Sequence, residues 1–245
     1  MNEIRLSVMM PCYREAENLA VILPKIARVL RGLEIPSEIL VVDTMAPMDE
    51  TPGVCGRLQE ENLCALRYIP RRGGNNYGDA IRTGFSDAKG KYLIVMDADG
   101  SHDPKDIARL YREMESAPNC IVVIGSRYMK GGDTDNGFIL KLMSRTLNVF
   151  YRVLFNLKVK DVSDSYRVYR TRLLRKMSFE CDNFDIVEEI LIKLRDRYPR
   201  REIREIPVYF NKRAYGESKR DLGKFILSYL ATIRRLKKIQ KGSRS

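Results

Sequence analysis

The sequence has no apolar run long enough to cross a membrane. A membrane-spanning helix needs about 20 mainly apolar residues, whereas residues 225–233 form a short run that polar side chains interrupt. Near the start, the apolar residues 6–10 end at Pro11 and lack the charged beginning of a signal peptide. We therefore expect a cytoplasmic protein that touches a membrane without crossing it.

Cysteine and histidine are also scarce. The five cysteines are odd in number and show no Cys-x-x-Cys spacing, which argues against a disulfide framework or a structural zinc site. A single histidine, His102, is more often a turn or supporting residue than a metal ligand or a base. Repeats, low-complexity segments and linkers are absent from the 245 residues, which favours one folded domain.

Acidic residues are too few to balance the basic ones, and the net charge is +12. Such a charge favours an anionic partner, which is a nucleic acid, an anionic membrane surface or a phosphorylated substrate. A nucleic-acid-binding protein would place aromatic stacking platforms among its basic residues. After Arg220, where basic residues are dense, the aromatic residues are Phe225 and Tyr229, both at apolar helix positions. We therefore predict no nucleic-acid partner.

Short apolar runs alternate with helical patterns, which predicts an α/β fold with a mostly parallel, Rossmann-like sheet flanked by helices. The predicted strands are residues 4–10, 38–43, 64–70, 92–97 and 120–125. The predicted helices are a stripe after Glu15 that Pro24 should kink, then residues 51–61, 77–88, 104–116 and 139–155. Later come a hairpin at 159–170, a helix at 184–197 and a strand at 201–210.

The C-terminal region is predicted to be a basic amphipathic helix. Apolar residues recur there at three- and four-residue steps, and the basic residues lie mainly on other faces. We expect a main domain over residues 1–219 and this helix with its tail over 220–245. The alternative is a purely structural helix that packs on the sheet, whereas the dense basic end favours binding to an anionic membrane surface.

Acidic residues follow two of the predicted strands. Asp97 and Asp99 end the run 92–96, and Asp43 ends the run 39–42. Ligands of open parallel sheets bind at the carboxyl ends of the strands, and adjacent carboxylates need a compensating cation. The pattern is compatible with a divalent ion that carries a phosphate. It is equally compatible with a turn and a helix cap that bind no metal.

Ordered motifs along the chain give a family resemblance. They read MPCYREAENL, EILVVDTMAPMDET, RRGGNNYGDAIRTGF, VMDADGSHDP, VIGSRY, MSRTLN, DVSDSYRVYR and KRAYGESK. In this order they resemble family-2 glycosyltransferases of the GT-A fold, closest to the polyprenyl or dolichyl phosphate mannose synthase branch. The resemblance covers nearly the whole chain, although each motif is weak by itself.

The resemblance implies roles for particular residues on the donor side. The nucleotide would contact Pro11, Tyr13, Glu15, Asp43 as the base-binding acid, Arg71 or Arg72, and Asp97. Asp97 and Asp99 would hold Mg²⁺ or Mn²⁺ on the donor diphosphate, and Asp99 would count among the catalytic residues. Arg213 and Lys219 would belong to a loop that closes over the donor.

On the acceptor side, the resemblance assigns Arg127 and Arg145 to the attacking phosphate. The implied activity is inverting transfer from GDP-mannose or a UDP-sugar to a polyprenyl or dolichyl phosphate. The enzyme would act peripherally at the cytoplasmic face of the membrane, and a separate membrane protein is an open possibility. A sugar hydroxyl as acceptor would instead require a general base, for which Glu188 is the candidate.

Overall fold

Buried strands and amphipathic helices alternate through the first half of the chain. The computed structural model describes residues 3–61, 64–135, 137–212 and 232–240, without the side chains of residues 138 and 139. The elements are β1 (Leu6–Pro11), α1 (Ala16–Gly32), β2 (Ser37–Asp43), α2 (Thr51–Glu60), β3 (Ala65–Pro70), α3 (Tyr77–Asp87), β4 (Tyr92–Val95), α4 (Asp106–Ser116) and β5 (Cys120–Ser126). Helix α1 includes Pro24 within its span.

The second half has a less regular order. It contains β6 (Asp133–Thr134), α5 (Phe138–Phe155), β7 (Arg167–Arg170), α6 (Thr171–Leu174), α7 (Ile186–Arg197), β8 (Glu202–Pro207) and β9 (Tyr209–Phe210). Residues 232–240 are helical and are called α8 here. Within the described residues, no helix is both long and apolar enough to span a bilayer.

A seven-stranded sheet with the order β3-β2-β1-β4-β7-β5-β8 forms the centre of the fold. All strand pairs are parallel except those of β7, which runs antiparallel to both β4 and β5. The predicted hairpin over 159–170 is wrong, because only Arg167–Arg170 form a strand. This strand is hydrogen-bonded to β4 and β5 on its two sides. Residues 159–166 therefore do not pair with it as the other strand of a hairpin.

Alternate residues of the central strands enter two hydrophobic layers, one on each face of the sheet. Val8 belongs to one layer, and Met9 belongs to the other. Leu236 and Ile239 of α8 are buried in the second of these layers. The apolar side of α8 therefore packs inside the protein, which agrees with the alternative of a structural helix for this part of the C-terminal region.

Candidate active site

The order in which successive strands are added to the sheet reverses between β1 and β4, which are parallel neighbours. From β1 the chain moves outward through β2 and β3, and it then returns to β4 on the other side of β1. Such a switch point opens a crevice at the carboxyl ends of the strands, where ligands of α/β sheets bind. The antiparallel strand β7 begins at this same edge, because Arg167 pairs with Val95 and Ile124.

Asp43 is the last residue of β2 and is almost completely buried at this edge. One carboxylate oxygen accepts a hydrogen bond from the backbone nitrogen of Thr44 at 2.7 Å. The other accepts from the hydroxyl of Tyr68 at 3.1 Å. Burial, together with the charge of Asp43, raises the pKa of Tyr68, so this phenol stays a hydrogen-bond donor.

Arg71 and Arg72, the two alternatives for a donor contact, have different environments. Arg71 is buried, and its guanidinium donates to the backbone carbonyl oxygens of Cys12, Asp43, Asn75 and Asn76. It therefore ties together the loops that follow β1, β2 and β3. Arg72 is exposed and pairs with Asp87 on α3.

The loop after β1 carries the other residues predicted to contact the nucleotide. Pro11 is the last residue of β1, and Tyr13 is 53% exposed. Arg14, with a positive φ of 56°, lies 5.7 Å from the centre of the Tyr13 ring. Glu15 precedes α1 and accepts a hydrogen bond from Asn18 at 2.6 Å. An exposed aromatic ring is thus presented at the crevice edge.

Asp97 and Asp99 follow β4 directly, as the sequence predicts. Burial raises the pKa of Asp97, and the charges of Asp99 and Asp164 add to this. Oδ1 of Asp99 accepts from the backbone and hydroxyl of Ser101, at 3.0 and 2.6 Å. The loop therefore concentrates negative charge, which a divalent cation would neutralise.

The donor set suits a hard divalent cation that a phosphate also binds. No group of three or more acidic, cysteine or histidine side chains with metal-site geometry occurs in the described residues. Mg²⁺ typically takes only one or two protein carboxylates and completes its coordination with water and phosphate oxygens. Two neighbouring carboxylates at a sheet edge fit that pattern.

Arg127 ends up in a buried ionic cluster next to the Asp97 loop. Its guanidinium makes two 2.8 Å contacts to Asp161, and its Nε lies 3.2 Å from Asp164. Burial opposes the charged form, but Asp161 and Asp164 outweigh it and raise the pKa of Arg127. The same two acids give the cluster one negative charge in excess of Arg127.

Arg145 and Arg127 both lie near one aromatic ring, that of Tyr128. Both guanidinium groups are near the ring of Tyr128, with distances to the ring centre of 5.3 Å for Arg127 and 5.6 Å for Arg145. Arg145 is exposed on α5. Sequence reasoning missed Asp161 and Tyr128 as members of this cluster, although both stand inside the motifs DVSDSYRVYR and VIGSRY.

Glu188 is buried on the first turn of α7. Burial raises its pKa to about 8, and the nearby Arg167 opposes this shift. Arg167 is itself completely buried, and it donates to the backbone oxygens of Val187 and Val162 at 2.8 and 2.5 Å. Glu188 is thus a protonated carboxyl group through most of the neutral range rather than a ready base.

Two predicted site residues, Arg213 and Lys219, lie outside the described residues. Of the predicted C-terminal helix, residues 232–240 are described. There Arg235 pairs with Asp185 and Gln240 with Asp196, so α8 lies along α7. Arg234, Lys237 and Lys238 are exposed.

Comparison with solved structures identifies the fold class as GT-A. Over 95% of this chain, it is similar to glucosyl-3-phosphoglycerate synthase of Mycobacterium tuberculosis in complex with Mn²⁺, UDP-glucose and phosphoglyceric acid, with a TM-score of 0.70, 17% identity and 79% of that chain covered. A complex of the same protein with Mg²⁺ and UDP gives a TM-score of 0.65 at 16% identity, with 91% of this chain and 74% of that chain covered.

Sequence comparison identifies the family. The model for glycosyl transferase family 2 matches residues 7–178, and the chain belongs to that family. It is 34% identical to dolichol-phosphate mannosyltransferase of Pyrococcus furiosus over 96% of this chain and 64% of that protein. It is 30% identical to polyprenol monophosphomannose synthase of Mycolicibacterium smegmatis over 88% of this chain and 80% of that protein. The chain thus spans less than two thirds of the length of the Pyrococcus relative.

Proposed function

We propose that this glycosyltransferase moves a sugar, with inversion, from a nucleotide donor to a polyprenyl or dolichyl phosphate. The observation that carries the proposal is the juxtaposition of two unlike charged groups at one sheet edge. Asp97 and Asp99 lie on one side, and Arg127 with Arg145 lies on the other. The acids suit a metal-bound diphosphate, and the guanidinium groups suit a second phosphate.

The relatives support this choice of acceptor. The two proteins of 30 and 34% identity are named for mannosyl transfer to polyprenol or dolichol phosphate. The structural neighbours hold Mn²⁺ or Mg²⁺ together with UDP, which supports a divalent cofactor here. The donor of this chain is either GDP-mannose or a UDP-sugar.

On the donor side, Asp43 would bind the base, and Tyr13 and Glu15 would border the nucleotide. Arg71 would act through the backbone, since its guanidinium already holds carbonyl oxygens of the donor loops. Asp97 and Asp99 would hold Mg²⁺ or Mn²⁺, which stabilises a departing diphosphate by neutralising its charge. Arg213 and Lys219 would close over the donor.

On the acceptor side, Arg145 would supply most of the net positive charge. The charge of Arg127 is already balanced by Asp161 and Asp164, whereas Arg145 is exposed beside the same tyrosine ring. An ionised phosphate needs no general base, which agrees with a Glu188 carboxyl that burial keeps protonated. The alternative is a sugar hydroxyl acceptor, for which Glu188 would have to lose its proton.

The surface of α5 supports action at a membrane. Leu142, Val149, Phe150 and Val153 share one face of this helix and are 55, 53, 48 and 79% exposed. An exposed apolar face next to Arg145 fits a lipid surface that carries phosphate groups. The exposed basic residues of α8 add electrostatic attraction to anionic lipids, although the apolar side of α8 is engaged by α7 and the core.

A donor screen in the presence of membrane lipid extract tests the proposed function. Radiolabelled GDP-mannose and UDP-sugars are incubated with the protein and Mn²⁺, and label is counted in the organic phase. We expect one donor to label lipid, and Asp99→Asn to abolish the transfer. Label that moves only to soluble sugars would favour the hydroxyl acceptor, and no transfer from any donor would contradict the proposal.

A further inference from the structure

His102, the only histidine of the chain, joins the metal-binding loop to the arginine cluster. Its Nδ1 lies 3.0 Å from the backbone nitrogen of Asp97, and its Nε2 lies 3.1 Å from Oδ1 of Asp164. Asp164 in turn contacts Nε of Arg127 at 3.2 Å. A continuous series of contacts therefore runs from the donor loop to the acceptor side.

The hydrogen-bond partners determine the tautomer of the imidazole. A backbone N–H only donates, so Nδ1 must present its lone pair to Asp97. The ring proton then resides on Nε2 and is donated to the carboxylate of Asp164. A second ring proton on Nδ1 would point at the Asp97 N–H, so the geometry favours the neutral Nε2–H form. Burial opposes ionisation of Asp164, but the charge of Arg127 and the hydrogen bond from His102 lower its pKa below the usual value, so its carboxylate remains an acceptor.

The surroundings of the ring allow little movement. His102 is 1% exposed, and its ring stacks on Tyr166 with 4.5 Å between centres. Phe210 packs edge-on at 5.4 Å. Oδ1 of Asp164 also accepts from the backbone nitrogen of Tyr166 at 2.9 Å. A side chain clamped in this way transmits a displacement at one end to the other, because both of its polar atoms are engaged.

We propose that His102 is a positioning residue that, as the neutral Nε2–H tautomer, couples the Asp97–Asp99 loop to the Asp164–Arg127 cluster. A phosphate that binds at Arg127 competes with Asp164 for the guanidinium, and His102 conveys the resulting change in Asp164 to the backbone of Asp97. This coupling rests on the proposed function for its role in catalysis. The physical link itself requires only the contacts of the protein.

The first test uses the uniqueness of His102. Full-length protein labelled with ¹⁵N-histidine gives ring signals that need no site assignment. We expect the signature of an unprotonated Nδ1 and a protonated Nε2 at neutral pH. A protonated Nδ1 would overturn the proposal, because the bond from the Asp97 N–H would then be impossible.

Hydrogen exchange of the full chain tests the coupling. Asp164→Asn should speed exchange in peptides covering residues 97–101, although Asp164 lies on a different loop. His102→Ala should speed exchange both there and in residues 161–166, whereas His102→Asn, whose Oδ1 can still accept from the Asp97 N–H, should protect residues 97–101 more than His102→Ala does. Asp103→Asn, next to His102 in the chain, is the matched control. Unchanged exchange in residues 97–101 for folded Asp164→Asn would overturn the proposal.

Nucleotide binding connects the link to function. Binding of GDP and UDP with Mn²⁺ is measured for the wild type, the two single variants and the double variant His102→Ala, Asp164→Asn. If Asp164 acts on the donor loop through His102, the double variant should bind about as weakly as His102→Ala alone. Additive losses would overturn the coupling. A wild type that binds neither nucleotide would instead contradict the proposed function, and the exchange experiment would still decide the link.

Discussion

The hydroxyl of Tyr68 donates to Oδ2 of Asp43 across 3.1 Å, so the acid at the end of β2 is held by a residue of the neighbouring strand. The other oxygen of Asp43 is held by Thr44. The carboxylate of Asp43 therefore has a fixed orientation before a nucleotide binds, and a nucleotide base could donate hydrogen bonds to it without reorienting it. This arrangement gives preorganisation, which lowers the free-energy cost of ordering on binding.

If Asp43 recognises the base, Asp43→Asn should weaken binding of the preferred nucleotide about tenfold or more, since one carboxylate oxygen becomes an amide donor. Tyr68→Phe should weaken nucleotide binding only a few-fold, because the carboxylate remains and loses only the hydrogen bond from the Tyr68 hydroxyl. Calorimetric titration with GDP and UDP in Mn²⁺ measures both. Equal affinity of Asp43→Asn and the wild type for both nucleotides would exclude Asp43 from base recognition.

The metal prediction concerns Asp99. Asp99→Asn should reduce nucleotide affinity in Mn²⁺ and hardly change it in a chelator, because the carboxylate acts through the ion. Binding is compared with and without EDTA for the wild type and the variant. If the wild type bound the nucleotide equally well with and without EDTA, the result would count against a diphosphate held by a metal ion.

Two adjacent arginines offer a matched test of structural roles. Arg71→Lys should lower the free energy of unfolding by about 2 kcal/mol or more, since one ammonium group cannot reach all of the buried carbonyl oxygens. Arg72→Lys should cost less than about 1 kcal/mol, because its partner Asp87 is reached at the surface. Urea denaturation of the two variants gives the comparison. Similar losses in the free energy of unfolding for both variants would show that the hydrogen bonds of Arg71 to the loop carbonyl oxygens do not stabilise the fold.

Glu188 should make stability depend on pH. Its folded pKa of about 8 lies above the usual carboxyl value, so between about pH 4.5 and 8 the folded state retains a proton that the unfolded state has lost. Stability from this group is therefore present at low pH and falls as pH rises through this window. Arg167 opposes the shift, and Asp185 and Asp161 add to it.

The variant Glu188→Gln removes this titration. Its free energy of unfolding relative to the wild type should rise from pH 5 to pH 8, by about 1.4 kcal/mol for each unit of pKa difference. Transfer to polyprenyl phosphate should stay within a few-fold. A loss of about 10²- to 10⁴-fold at unchanged acceptor affinity would indicate a general base and a hydroxyl acceptor.

Membrane binding should depend on two separate surfaces. Replacing Arg234, Lys237 and Lys238 of α8 by Gln should reduce co-sedimentation with anionic liposomes and its sensitivity to salt. The control replaces Lys25, Arg28 and Arg57, which are exposed on α1 and α2. Val153→Asp on α5 should weaken binding even at low salt, since it removes apolar contact. If none of these variants differs from the wild type, neither helix contacts the lipid.

The parallel strands were predictable because runs buried on both faces read as continuous apolar stretches. The position of Asp43, Asp97 and Asp99 follows from this, since Asp43 ends β2 and the other two lie in the loop just after β4. Strand β7 was not predictable in the same way, because RVYR includes the completely buried Arg167. Its burial depends on the carbonyl oxygens of Val187 and Val162, and hydrophobic periodicity cannot foresee such partners.

The C-terminal helix shows a related limit. Its amphipathic pattern was recognisable, but periodicity does not say whether lipid or protein covers the apolar side. Leu236 and Ile239 enter the core, while α5 leaves Val149 and Val153 exposed. The pairing of Asp161 with Arg127 was also not predictable, because the two residues come together only through the insertion of β7.

The insertion of β7 has a consequence for the order in which the chain can fold. Strands β4 and β5 pair with β7 and leave room for it between them, so each has a free hydrogen-bonding edge until residues 167–170 have been synthesised. Unpaired strand edges invite association with other chains. A product that stopped before Arg167 would lack both β7 and β8, so one edge of β4 and both edges of β5 would stay unpaired and open to aggregation.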